Sequence, residues 1–154
     1  MSYRSRRAAI CLAALLLVAA GCGSDSQSTN DYVSAINKVQ TNFAKDVKKV
    51  GTERSGSDPA AAAKKTFADL KTAIDRVVAD LKAVQPPDKV KDLHNQLVSE
   101  MSQFDSQVKT AGESMSSKDP KAIEKAQTQF ASSASTLGTQ ISQTIDAINK
   151  KLQS

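Results

Sequence analysis

Few residues in this chain could do chemistry, and they are scattered. There is one histidine, His94, and two cysteines, Cys11 and Cys22. A metal centre would need further histidines, thiolates or a close carboxylate cluster to complete a ligand set. None stands at ligand spacing from His94, and the Glu-x-x-His pattern of di-iron bundles is absent. Asp88 and Asp92 lie close to it in sequence, but Asp88 is more simply a helix cap. Serines are abundant without a base to activate them. No nucleophile elbow, glycine-rich phosphate loop or Walker-type lysine occurs. The expectation is therefore no catalytic residue, no metal, no cofactor and no enzyme. His94, next to Leu93 and one turn past Val90, is expected on a helix flank and partly exposed. Met101 and Met115 are expected as core fillers, and the lysine runs as solvated faces, with contact to anionic lipid headgroups as a weaker reading.

The other chemistry-bearing residue is Cys22. Residues 1–7 carry Arg4, Arg6 and Arg7, and Ala8 to Ala20 is an unbroken apolar run of 13 residues. That run is short of the roughly 20 residues a membrane-spanning helix needs and fits a signal-peptide core. It leads into Leu15-Leu16-Leu17-Val18-Ala19-Ala20-Gly21-Cys22-Gly23. This stretch resembles the lipobox of bacterial lipoproteins. The resemblance covers residues 1–23 and departs at Ala19, where the family usually has leucine. It implies that a diacylglycerol is attached to the Cys22 thiol and that cleavage falls between Gly21 and Cys22. The chain would then sit, acylated, on the extracytoplasmic face of the cell membrane. The competing expectation is ordinary secretory cleavage after Ala20, leaving a free thiol. Cys11 lies within the leader, so the mature chain has no partner for an internal disulfide.

Loss of the leader also removes three of the 21 basic side chains, leaving 18 against 16 acidic ones, a net +2. That is no electrostatic footprint for nucleic acid. Aromatic residues are 4% of the chain and tryptophan is absent, which argues against a sugar-stacking platform.

The elements that follow are helical. Ser24 to Asn30 is polar and serine-rich, and it reads with Cys22 and Gly23 as a flexible tether over 22–30, of roughly 15 Å reach. Tyr32, Ile36, Val39, Phe43, Val47 and Val50 recur at steps of three and four and predict a helix over about 31–51. Asp58-Pro59 is a cap followed by proline at the first helical position. It opens a helix over 59–85 whose seam runs Ala63, Phe67, Leu70, Ile74, Val77, Leu81 and Val84, and which Pro86-Pro87 ends. A third helix is predicted over 88–116 and a fourth, opened by Asp119-Pro120, over 120–152, with Gly138 as a soft spot. Short connections imply an antiparallel up-down-up-down four-helix bundle over 31–154. Each helix carries one phenylalanine, and Phe43, Phe67, Phe104 and Phe130 lie at comparable distances from their connections. They are expected to form one central layer. An offset of 61 also pairs Phe43 with Phe104, Val47 with Val108 and Asp58-Pro59 with Asp119-Pro120, a weak internal repeat.

These readings point first to a non-enzymatic, membrane-anchored module of the cell envelope that presents a helical face to a protein partner. The stretch Pro86-Pro87-x-x-Val90-x-x-Leu93-His94 is similar to small helical lipoproteins of actinobacteria. The alternatives are a bundle that holds a lipid or other apolar ligand, with room left by Ala111, Ala126 and Ala134, a secreted form without the lipid, and a bundle that opens onto membranes. The narrow seams argue against the last of these.

Overall fold

The computed structural model describes residues 24–50, 59–115, 117 and 119–154. They form an all-α four-helix bundle: α1 (Ser24–Val50), α2 (Pro59–Ala83), a 3-10 turn (Asp88–Val90), α3 (Lys91–Ser114) and α4 (Pro120–Gln153). Close packing runs α1 on α2, α2 on α3 and α3 on α4, with the 3-10 turn against α4. Cross-contacts fix the directions. On the α2–α3 face Lys71 meets Asp105 while Leu81 meets His94. On the α3–α4 face Gln96 meets Thr144 while Met115 meets Gln127. In both pairs rising numbers on one helix meet falling numbers on the other, as antiparallel neighbours require.

Local chemistry explains most boundaries. Asp119 sits in extended backbone, its side chain accepts from the Lys121 amide at 3.0 Å, and Pro120 follows at the first helical position. The Asp58 cap lies outside the described residues. α2 ends at Ala83, two residues earlier than the seam suggests, with the Val84 amide still bonded to the Leu81 carbonyl at 3.1 Å. Pro86 and Pro87 lack the amide protons that would continue the ladder. Asp88 opens the 3-10 turn, with the Val90 amide on the Pro87 carbonyl at 3.0 Å, so the α-helix proper starts at Lys91.

The start of α1 differs from the tether expected over 22–30. The helix begins at Ser24, not at Asn30 or Asp31. Nothing from Ser24 to Asn30 is glycine or proline, so no residue breaks the turn. Thr29, at 9% exposure, lies just before the buried Tyr32 and Val33 and carries the packed face back into the polar stretch.

The best-buried core sits towards the end that holds the Pro86-Pro87 connection. Tyr32 and Val39 of α1, Ile74, Val77 and Leu81 of α2, Val90 and Leu97, and Ile148 of α4 all belong to it. Burying one such aliphatic side chain is worth roughly 1.5–3 kcal/mol. Met101 and Met115 are buried as core residues, as expected. The phenylalanine layer is smaller than expected. Phe67 meets Phe130 edge-on at 5.3 Å, and Phe104 stacks on Phe130 at 6.2 Å. Phe43 packs on the same core but lies beside Arg76 and Val77, ten residues beyond Phe67 on α2. At 1.5 Å per residue that is about 15 Å along the axis. Equal distances from a turn give equal heights only when the turn is tight. The stretch joining α1 to α2, outside the described residues, is the longest of the connections.

Candidate functional site

Gly21 and Cys22, expected from the sequence as the cleavage and acylation positions, lie outside the described residues, so the candidate site within the fold is the one built around His94. The expectation of a partly exposed flank histidine is corrected. His94 is 2% exposed. The reason is the register of the seam. Buried positions on this segment run Val90, His94, Leu97 and Met101, at steps of four, three and four. The seam therefore passes through His94, and Leu93 is the half-buried flank. A count that prefers leucine over histidine at adjacent positions picks the wrong one.

A buried imidazole needs partners for both nitrogens. His94 Nε2 lies 3.0 Å from the Leu81 carbonyl of α2, and Nδ1 lies 3.2 Å from the Tyr32 hydroxyl of α1. A carbonyl can only accept, so Nε2 carries the proton. In the neutral ring Nδ1 then accepts from the tyrosine. The two rings meet edge-on, with centroids 5.7 Å apart. Burial pushes the Tyr32 phenol up to about 12. Burial also lowers the His94 pKa, against a smaller opposing pull from the Leu81 carbonyl. The group is thus a neutral pair that ties three helices together. It has no activated nucleophile beside it and no second metal ligand. Among the described residues, no three His, Cys, Asp or Glu side chains stand together as a metal site would require.

A second polar cluster crosses from α3 to α4. Glu100, 7% exposed, accepts through Oε1 from Gln96 Nε2 and from Thr144 Oγ1, each at 2.9 Å. Gln96 Nε2 also donates to Thr144 Oγ1 at 3.0 Å, while Glu100 Oε2 makes no hydrogen bond. The sequence signal for it was the seam of α4, which runs Leu137, Ile141, Thr144 and Ile148 and so places Thr144 inside. Ile145 is the flank.

Two surface grooves accompany these clusters. One, of about 320 Å³, lies between α1 and α2 over Phe43 and Val77, with Lys45, Lys49 and Arg76 facing Asp46 and Asp80. Asp46 is held there by Arg76 at 3.2 Å and by Lys49 at 3.3 Å, and the Arg76 hydrogen bond is the main reason its carboxyl titrates below the usual range. The other, of about 240 Å³, lies between α3 and α4, with Phe130 at its base and Ala111 and Ala126 beside it. The room that these alanines leave therefore opens to the outside. It is smaller than the roughly 300 Å³ at which ligand pockets begin. Beside it, a Cβ added to Gly112 would stand 3.1 Å from Phe67 Cβ, so the ring fills the space that the glycine leaves.

The fold and the buried polar pairs define a class: an all-α antiparallel bundle whose helices are cross-tied by a few internal hydrogen bonds. No family model matches the chain, and neither a curated protein nor a solved structure matches it.

Proposed function

We propose that this chain is a lipoprotein of the extracytoplasmic face of the cell membrane, held there by acylated Cys22, and that its bundle is a non-enzymatic module for a protein partner in the envelope. The observation that carries this reading is the sequence Leu15 to Gly23, an apolar core ending in small residues and a cysteine, directly ahead of a helix that starts at Ser24. No described helix is long and apolar enough to cross a membrane. Tyr32 with His94, and Glu100 with Gln96 and Thr144, bond across helices as in a scaffold, and none of them is arranged as acid, base and nucleophile. The bundle end that holds the start of α1 also holds the Pro86-Pro87 connection and the end of α4, so this end would face the lipid.

Detergent phase partitioning tests the attachment. The wild-type chain, expressed with its leader in a bacterial host that processes lipoproteins, is expected in the detergent phase. A Cys22→Ala chain is expected in the aqueous phase or retained as uncleaved precursor. A wild-type mature chain in the aqueous phase would refute the anchor.

A further inference from the structure

We propose that the Tyr32–His94–Leu81 contact is a proton-operated latch, which holds the N-terminal half of α1 on α2 and α3 while His94 is neutral and releases it when the ring takes up a second proton. The argument is one of hydrogen-bond direction. Nε2 already donates to the Leu81 carbonyl, so the incoming proton goes to Nδ1. Nδ1 then becomes a donor and faces the Tyr32 hydroxyl, which was donating to it. The hydroxyl has to turn and accept, and its own proton then points into a site where both rings are 2% exposed. A donor left without an acceptor in such a place costs the desolvation of that group.

Among the described residues, no carboxylate pairs with the ring to offset the new cation. The titratable groups on the segments that pack here are Asp31 and Lys38 on α1, Asp80 and Lys82 on α2, Asp88 and Lys89 on the 3-10 turn, Lys91, Asp92 and Glu100 on α3, and Asp146, Lys150 and Lys151 on α4. Burial and the Leu81 hydrogen bond are what set the proton affinity of the ring, with no charge–charge contribution from any of these. Glu100, the buried carboxylate among them, is engaged with Gln96 and Thr144.

α1 is the element that can yield. It packs closely along α2 alone, whereas α2, α3 and α4 are packed in series on one another. Its other end is tied by the Asp46–Arg76 pair, on the surface, where such pairs contribute little. Moving α1 by a few ångströms hydrates both Tyr32 and a protonated His94 and leaves the α2–α3–α4 packing in place.

The test is hydrogen exchange on the mature chain carrying Cys22→Ser, followed by mass spectrometry from about pH 7.5 to about pH 5.5 and corrected for intrinsic rates. Nitrogen NMR of the imidazole is run in parallel to read the tautomer. The expected result is a neutral ring protonated at Nε2 at the upper pH. Below about 6.5, protection across residues 28–39 then falls by up to about tenfold per pH unit, the slope of one linked proton, while α3 and α4 keep theirs. In His94→Gln the pH dependence of α1 protection disappears. Protection of α1 that does not change with pH in the wild type would overturn the proposal. So would loss of protection in α3 and α4 in step with α1, or a pH dependence that survives in His94→Gln. The wild-type measurements decide the matter even if the variant does not fold.

Discussion

Burial keeps both Tyr32 and His94 neutral, and for the phenol that sets how the bundle responds to alkali. Burial pushes the Tyr32 phenol up to about 12, from the ordinary phenol value of about 10. A group whose folded pKa is raised contributes stability that is fully present below its unfolded value and lost as pH climbs through its folded one. The bundle is therefore expected to lose about 2–3 kcal/mol between about pH 10 and about pH 12 on this account. Tyr3 lies in the segment that the proposed cleavage removes, so Tyr32 would be the one tyrosine of the mature chain. Its ultraviolet absorbance can be followed directly beside helical circular dichroism. Ionisation near the ordinary phenol value with the helices intact would contradict the burial. These residues also show the limit of sequence reading at this scale. Tyr32 was legible as the first residue of a stripe, but its partner was not. The choice between Leu93 and His94 as the seam position depends on which one a tyrosine hydroxyl on another helix needs to meet. The same holds for Thr144 against Ile145, where Glu100 on α3 decides.

At the scale of elements, periodicity and capping placed every helix boundary but the start of α1 within about three residues, because steps of three and four and the Asp-Pro pair are local signals. The start of α1 was not legible. A polar run carries no apolar periodicity, and the burial of Thr29 in it has no counterpart in the sequence. Two glycines inside helices allow a sharp comparison. A Cβ added to Gly138 would meet nothing within 4 Å. Gly138→Ala is expected to raise stability by about 0.5–1 kcal/mol, the difference in helix propensity. At Gly112 the same gain is opposed by the 3.1 Å approach to Phe67 Cβ, an atom next to backbone that cannot swing aside. Gly112→Ala is expected to gain nothing or to lose stability. Urea melts of the two variants check this, and equal gains at both sites would mean that α2 and α3 are less closely packed there than described.

For the whole molecule, the core is uneven. Many of its aliphatic residues lie near the Pro86-Pro87 end, while the aromatic cluster of Phe67, Phe104 and Phe130 lies further along the bundle, on the stretch of α3 that also carries the fully buried Val108. Phe130 touches both other rings, and Phe43 touches neither. With each aromatic pair worth about 0.5–1.5 kcal/mol beyond its buried area, Phe130→Ala is expected to cost about 1–3 kcal/mol more than Phe43→Ala in the same melt. Equal costs would restore the single four-ring layer that the sequence suggested. That layer failed at α1 because counting from the middle of a connection assumes that the helices on either side are level across it, whereas Phe43 stands beside Arg76 and Val77, not beside Phe67. Fold class was thus readable from local signals, whereas register across a long connection was not.

The central claim is that Cys22 carries the lipid that holds this bundle at the membrane. Mass spectrometry of the mature chain, purified from membranes of a lipoprotein-processing host, tests it most directly. The account predicts an N-terminal residue at Cys22, with the mass of a diacylglycerol on its thiol. A mature chain that starts at Gly21 with an unmodified cysteine would contradict it.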